Sequence, residues 1–328
     1  MHQIDRRTFL KTASAGLVAA QTGVSSSAEK LSAEKQPQVK LPAKVVDTHT
    51  HFYDPSRPEG VPWPSKGSSL YRTVLPKDFV ELKKYQPVNA TVIVEASKLV
   101  EDNQWILDLA KENPVIIGFV GRLTPGDPMF RTHLKRFAKN PIYKGIRVNH
   151  NLLEPGLSQK QFVDDLKFMA DMGLQVDLNG GPVTLDGARR LSELVPDLRI
   201  VVDHIGNVVI KGEEIDPLWK RNMEALSDQE QVFIKISALV EGASRHRPND
   251  VPADVEYYRP TLDVIWKQIG VDRMIFGSNW PVSERAADYV TLQKILVDYL
   301  QDKGQPALDK VFWKNSKLAY RWDKYPGE

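Results

Sequence analysis

Short apolar runs alternate with amphipathic segments along most of the chain. In the segment 159–172 the apolar residues recur at spacings of three and four, which places one set on a single helix face: Phe162, Leu166, Met169 and Ala170. The runs between such segments are mostly continuous apolar stretches rich in β-branched residues, as strands buried on both faces are. The pattern therefore predicts repeated strand–helix units.

Eight such units follow one another. Strands are predicted at 45–49, 91–95, 115–120, 145–148, 174–178, 200–204, 232–236 and 274–277. Helices are predicted near 77–84, 103–111, 130–139, 159–172, 185–194, 218–226, 262–269 and 289–300. Eight units of this kind favour a single-domain α/β protein with a closed parallel (β/α)8 barrel, the TIM barrel. The competing architecture, a doubly wound open sheet, lacks its usual Gly-rich dinucleotide fingerprint after any strand.

The N-terminal segment has the pattern of an export signal. Residues 5–11, DRRTFLK, resemble the twin-arginine motif R-R-x-F-L-K, and an apolar stretch at 13–20 follows that is too short to span a bilayer. Small residues offer cleavage after Ala20 or Ala28. We expect export to the periplasm or the extracellular space, with the twin-arginine translocase as a transient partner. The alternative is a frayed, basic N-terminal helix.

These patterns divide the chain into four parts. Residues 1–28 are predicted to be the signal peptide, and 29–44 a polar linker without stable structure. The barrel is predicted to occupy residues 45–322, and 323–328 form a C-terminal tail.

Charge and cysteine content exclude several classes of function. Residues 1–28 carry three cations and one anion, which accounts for the formal net charge of +2 and leaves the remaining chain neutral. A neutral body gives no electrostatic reason to bind nucleic acid or an anionic membrane. The chain has no cysteine, which excludes thiol catalysis, cysteine metal sites, disulfides and a lipidated-cysteine anchor. The expected partner is a small-molecule substrate, and the oligomeric state stays open.

Histidines stand at two of the predicted strand ends, where barrels of this kind place their chemistry. His49 and His51 are two residues apart at the end of strand one, so they face the same side, and His204 ends strand six. Three imidazoles converging at the barrel mouth would suit a metal or a substrate carbonyl. Buried structural histidines are the alternative. Asp203 has the opposite parity and is expected to point to the helix layer.

Other side chains at the same end are candidates for substrate binding. Arg147 ends strand four and offers a planar cation for a carboxylate or a lactone carbonyl, although a salt bridge to the barrel wall is an equal alternative. Tyr53 and Trp63 in the loop after strand one, and Trp280 after strand eight, could stack on a sugar or ring face. Ordinary packing of that first loop explains its aromatic residues equally well.

Five motifs in chain order resemble those of one family: V-D-T-H-T-H-F-Y-D-P, K-G-I-R, V-D-H-I-G, F-I-K-I-S and F-G-S-N-W-P-V. They resemble the amidohydrolase-related family, in particular its lactonase branch of L-fuconolactonase and pyrone-dicarboxylate lactonase, over about residues 45–322. The resemblance implies a (β/α)8 barrel that hydrolyses a cyclic ester. It also implies that His49, His51 and His204 polarise the carbonyl, directly or through one divalent metal such as zinc; a metal-free site stays open.

One position departs from the family pattern. The family usually has G-S-D-W-P, in which the Asp deprotonates the attacking water, and this chain has Asn279 instead. An amide cannot act as a general base and is a poorer zinc ligand than a carboxylate. Strand five ends at Asp177-Leu178-Asn179 without a histidine, so a two-metal centre is not expected. Glu95 and Asp177 are the nearest carboxylates that could replace the base, and we place Glu95 and Asn279 in the candidate catalytic set.

The function that follows is hydrolysis of a sugar-derived or dicarboxylate lactone, with a substitute base or a metal that lowers the pKa of water. Two alternatives keep the same barrel. One is a periplasmic ligand-binding protein without catalysis, left after loss of the Asp. The other is a lyase such as a decarboxylase, in which cationic groups stabilise developing charge. Lactone turnover and release of carbon dioxide distinguish the three.

Overall fold

The computed structural model describes residues 40–327. The predicted signal peptide and most of the predicted linker lie outside the described residues. No helix in the described part of the chain is long and apolar enough to cross a membrane.

Eight parallel strands form one sheet in chain order. They are β1 Val46–Thr50, β2 Ala90–Val94, β3 Ile116–Gly121, β4 Tyr143–Asn149, β5 Gln175–Asn179, β6 Arg199–Val202, β7 Val232–Ile236 and β8 Met274–Phe276. Beyond β8 the chain runs beside β1, where the Asn279 amide donates to the His49 carbonyl (2.8 Å) and the His51 amide donates to the Trp280 carbonyl (2.9 Å). The sheet is a nearly closed barrel, which confirms the predicted fold class.

Helices separate the strands and cover the outside of the barrel. They are α1 Pro76–Glu81, α2 Asp102–Glu112, α3 Phe130–Phe137, α4 His150–Gly156, α5 Lys160–Asp171, α6 Thr184–Leu194, α7 Pro217–Glu224, α8 Leu239–Ser244, α9 Val255–Gln268, α10 Tyr289–Gln301, α11 Gln305–Asp309 and α12 Asn315–Tyr320. Every predicted helix is present. The predicted helix near 262–269 begins earlier, at Val255, while α4, α8, α11 and α12 were not predicted because they are too short to show a period.

An apolar layer fills the barrel at the N-terminal ends of the strands. It includes Val46, Ala90, Val92, Ile117, Val201, Phe233 and Ile275. Tyr320, Trp322 and Tyr325 from the C-terminal segment pack beneath it, and the Tyr325 hydroxyl donates to the Val45 carbonyl at 3.3 Å. The predicted tail therefore includes a buried residue. These side chains close the inside of the barrel at this end, and the interior opens toward the C-terminal ends of the strands.

Candidate active site

A cavity of about 880 Å³ opens at the C-terminal ends of the strands. Its lining includes several residues that the sequence points to, together with further polar groups: His51, Trp63, Glu95, Lys98, Arg122, Arg147, Asn149, Asn179, His204, Asn207, Glu241, Arg245, Asn279 and Arg285. His49 is fully buried and lies beside this lining. The polar lining can hydrogen-bond a hydroxylated or carboxylated ligand.

Two predicted substrate-binding residues are not in this lining. Tyr53 is 2% exposed, and its hydroxyl donates to the Leu70 carbonyl at 2.9 Å. Trp280 is 1% exposed, and its indole NH donates to Glu284 Oε1 at 2.7 Å. Both side chains are buried in the packing and do not reach this cavity in the structure, and their contact with substrate stays a prediction. Trp63 does line the cavity, with its ring 5.7 Å from that of His51.

The structure brings the three predicted histidines together. The His49 ring centroid lies 4.9 Å from that of His51 and 4.3 Å from that of His204. His49 and His51 enter from β1 on the same side, as their spacing predicts. His204 reaches them from the turn that follows β6.

The Nδ1 atoms of His51 and His204 are engaged by neighbours. His51 Nδ1 donates to the Val94 carbonyl at 2.9 Å, and His204 Nδ1 lies 2.8 Å from Ser237 Oγ. Burial first, and then the charge of Arg147, lower the pKa of His51 to about 4. Burial lowers the pKa of His204 to about 3. Both imidazoles are therefore neutral at pH 7, the form that can ligate a metal.

His49 lies against a buried ion pair. Its Nδ1 is 3.3 Å from Asp203 Oδ1 and 3.1 Å from Lys235 Nζ, while its Nε2 is buried without a hydrogen-bond partner among the described residues. Burial and the Lys235 charge lower the pKa of His49 well below its ordinary value. His49 Nδ1 thus lies between an ammonium and a carboxylate, and Nε2 is the ring nitrogen left to contact a ligand.

The prediction that Asp203 points to the helix layer is wrong. β6 ends at Val202, and the next residues form a tight turn in which His204 and Ile205 have positive φ angles of 57° and 49°. The alternation of strand side chains stops there, so parity no longer assigns a direction. Asp203 is fully buried and contacts His49 and Lys235 instead.

Lys235 is the centre of a fully buried charge cluster below the histidines. Its Nζ lies 2.8 Å from both Asp177 Oδ2 and Asp203 Oδ1. Burial alone would raise the pKa of Asp203, but Lys235 and His49 lower it well below its ordinary value. Burial raises the pKa of Asp177, which also accepts a hydrogen bond from the Tyr320 hydroxyl. Asp177 does not line the cavity, so it is poorly placed to serve as the predicted substitute base.

Glu95 and Arg147 form a single unit at the cavity wall. Arg147 Nε and Nη2 lie 2.9 and 2.8 Å from Glu95 Oε1, and Arg122 Nη1 donates to the same oxygen at 3.2 Å. Arg147 therefore makes the salt bridge to the barrel wall that was one alternative, and it also lines the cavity, where it could contact a ligand. Two guanidinium groups therefore hold Glu95 Oε1, and the proton-accepting role considered for Glu95 stays a prediction.

Asn279 joins the histidines to another carboxylate. Its φ angle is 61°, a left-handed conformation that Asn tolerates better than most residues. Its Nδ2 donates to Glu241 Oε1 at 2.8 Å, and its Oδ1 lies 3.3 Å from His51 Nε2. Burial raises the pKa of Glu241 to about 7. Sequence reasoning missed Glu241, because it lies in the short helix α8 beyond β7 and carries no motif.

The residues present fit one divalent cation, with a change in the predicted ligand set. Among the described residues, His49, Asp203 and His204 form a group whose ligand atoms all lie within 4.8 Å of one another, and His51 is not part of it. Asp203 Oδ1 is paired with Lys235, but Oδ2 is buried without a hydrogen-bond partner among the described residues, so this carboxylate is available as a third ligand. His49 and His204 would hold the ion through their Nε2 atoms. His51, the third predicted ligand, lies outside this group with its Nε2 3.3 Å from Asn279 Oδ1, and its role as a ligand stays a prediction.

Comparisons with known proteins agree with this architecture. An L-fucono-1,5-lactonase of Burkholderia ambifaria is 27% identical over 298 residues, which are 86% of this chain and 97% of that protein. The crystal structure of a Burkholderia multivorans amidohydrolase with bound zinc has a TM-score of 0.76 at 21% identity, covering 86% of this chain and 100% of that one. A probable 2-pyrone-4,6-dicarboxylic acid hydrolase from Acinetobacter baumannii has a TM-score of 0.68 at 18% identity, with coverage of 85% and 100%.

The two solved structures show the shared fold. The profile of the amidohydrolase family matches residues 46–322, most of the 328-residue chain, and this agrees with the resemblance inferred from the motifs. The chain therefore belongs to the amidohydrolase family.

Proposed function

We propose that the protein hydrolyses a lactone, with a sugar-derived lactone as the first candidate. The observation that carries the proposal is the group of neutral histidines at a polar cavity of about 880 Å³, where His51 and His204 line the cavity and His49 adjoins them. A volume of this size accommodates a six-carbon sugar lactone with water. The similarity to L-fucono-1,5-lactonase over 86% of the chain supports the same substrate class.

The lining supplies groups that would bind such a substrate. Trp63 is 36% exposed at the cavity and can stack on the apolar face of a sugar ring. Asn149, Asn179 and Asn207 can exchange hydrogen bonds with ring hydroxyls. Arg147, held by Glu95, presents a fixed cation to a carbonyl or carboxylate oxygen.

The chemistry requires a polarised carbonyl and an activated water. A divalent cation held by His49 and His204 supplies Lewis-acid polarisation of the carbonyl when it is bound. His204 faces the cavity, and its contact with Ser237 orients the ring. The buried Lys235 offsets part of the negative charge of the two carboxylates beneath the histidines, which reduces their repulsion of the charge that develops on the carbonyl oxygen.

The test is a panel of 1,4- and 1,5-lactones of six-carbon sugar acids, together with 2-pyrone-4,6-dicarboxylate. Ring opening releases a proton at neutral pH, which a pH indicator records, and NMR identifies the hydroxy acid. Each lactone is assayed with and without added zinc. We expect at least one sugar lactone to be hydrolysed far faster than in buffer alone. No proton release above buffer from any lactone in either condition would refute the proposal. Ligand binding without turnover would favour the binding-protein alternative.

A further inference from the structure

We propose that Glu241 is the general base of this site and takes over the role that the family's Asp has at position 279. The inference rests on the proposed lactone hydrolysis. It deepens that function by assigning proton transfer to a residue outside the recognised motifs.

The position of Glu241 meets the geometric requirement for a base. It lines the cavity, and its side chain is 9% exposed. Oε1 accepts a hydrogen bond from Asn279 Nδ2 at 2.8 Å, while Oε2 is buried and has no hydrogen-bond partner among the described residues. A buried carboxylate oxygen is costly to leave unpaired, so Oε2 favours a hydrogen-bond donor. The attacking water of a hydrolase is such a donor. Because Oε2 has almost no exposed surface, a small rotation of the Glu241 side chain is needed to bring it to the cavity.

Asn279 fixes Glu241 relative to the histidines. Its backbone is held by the bond from its own amide to the His49 carbonyl (2.8 Å) and by the bond that the Ser283 amide donates to its carbonyl (3.1 Å). Its side-chain amide then lies between His51 and Glu241. One amide group thus separates the Glu241 carboxylate from the imidazole cluster. The proposed proton acceptor is therefore one side chain farther from the histidines than a carboxylate at position 279 would be, and Asn279 acts as a positioning residue.

Other carboxylates of the site are committed elsewhere. Glu95 is held in ion pairs by Arg122 and Arg147, whereas the hydrogen-bond partner of the Glu241 carboxylate is the neutral amide of Asn279. Asp177 and Asp203 are fully buried against Lys235 and do not line the cavity. Among the described residues that line the cavity, Glu95 and Glu241 are the acidic ones.

The environment of Glu241 suits a base that works near neutral pH. Burial raises its pKa to about 7, against the lowering effects of the Asn279 hydrogen bond and the charges of Arg245 and Arg285. Tyr258, from α9, also interacts electrostatically with the Glu241 carboxylate. A base whose pKa lies near the working pH combines a populated ionised form with useful proton affinity.

The step balances with water as the only co-reactant. Glu241 Oε2 accepts a proton from water while the water oxygen bonds to the lactone carbonyl carbon and the carbonyl electron pair moves to its oxygen. The tetrahedral intermediate then collapses, the bond between that carbon and the ring oxygen breaks, and Glu241 returns the proton to the ring oxygen. The product is the hydroxy acid, which ionises in solution.

The experiment compares four variants on the best lactone from the panel: Glu241→Gln, Glu241→Ala, Glu95→Gln and, as a surface control, Glu256→Gln. Circular dichroism and thermal melts check folding. We expect Glu241→Gln to lose about two to four orders of magnitude in kcat with little change in KM. In the wild type, kcat/KM should rise with pH through about 7, because the base must be deprotonated, and this acid limb should be absent from Glu241→Gln. Formate should partly restore Glu241→Ala.

The controls separate a base from a structural role. Glu95→Gln should act mainly through KM by releasing Arg147, and Glu256→Gln should match the wild type. An active wild type whose Glu241→Gln variant keeps more than a tenth of kcat, or keeps the acid limb, would overturn the assignment of the base and leave the lactonase intact. If Glu241→Gln does not fold, two other results can overturn the assignment of the base. One is that formate fails to restore activity to a folded Glu241→Ala variant. The other is that the wild type shows no acid limb near pH 7. A wild type inactive on every lactone overturns the proposed function itself.

Discussion

Asn279→Asp would introduce the carboxylate that the motif resemblance implies for this position, and it would place that carboxylate next to Glu241. In the native structure Asn279 Nδ2 lies 2.8 Å from Glu241 Oε1, and Asp has almost the same shape as Asn. The left-handed backbone at this position, with φ 61°, also accepts Asp. The substitution therefore adds charge with little change in packing.

The electrostatic effect is large. Two unit charges about 3 Å apart interact by roughly 5 kcal/mol at an effective dielectric constant of about 20. Since about 1.4 kcal/mol corresponds to one pKa unit, the pKa of one carboxyl of the pair rises by roughly three to four units. Burial already raises the pKa of Glu241 to about 7. The pair would therefore keep one shared proton at neutral pH and titrate as a unit.

We expect Asn279→Asp to lower kcat/KM at pH 7 by about tenfold or more. The acid limb of the pH profile should move upward by more than one unit, because the pair loses its last proton only at higher pH. The assay is kcat/KM from pH 5 to 10 on the best lactone. Asn207→Asp, which also adds a charge in the cavity lining, is the matched variant, and its acid limb should shift less.

The opposite result would refute the reasoning. If the chain is a lactonase that lost its base and recruited no other, Asn279→Asp should gain about two to four orders of magnitude in lactone hydrolysis. A wild type inactive on every lactone, together with such a gain, would show that Glu241 does not replace the Asp.

Three further predictions concern stability, metal and export. Lys235→Met should lower the free energy of unfolding by about 3–5 kcal/mol in urea titrations, because two buried carboxylates lose their cation; a loss below 1 kcal/mol would contradict this account. Purified protein should contain about one zinc per chain, and His204→Asn should lose it by elemental analysis; a metal-free protein whose hydrolysis is indifferent to chelators would exclude the metal. Replacing Arg6 and Arg7 with Lys should retain the protein in the cytoplasm of a fractionated host, and unchanged export would contradict the proposed signal.

Local periodicity was sufficient to predict the barrel and part of the site. The alternation of strands and helices can be recognised in short stretches of sequence, so eight strands and eight helices could be predicted from it. The convergence of His49 and His51 follows from their spacing of two on one strand. His204, Arg147 and Glu95 could be placed at the same end because parallel barrel strands all end there.

Where a chain leaves regular structure, only the tertiary fold determined which side chains meet. The left-handed turn after β6 directs Asp203 to His49 and Lys235, although strand parity predicted the helix layer. Glu241 meets Asn279 across 38 residues of sequence, from a short helix without a periodic signal. Strand alternation is a local rule, whereas contacts between turns depend on φ angles and on long-range packing that no short stretch of sequence encodes.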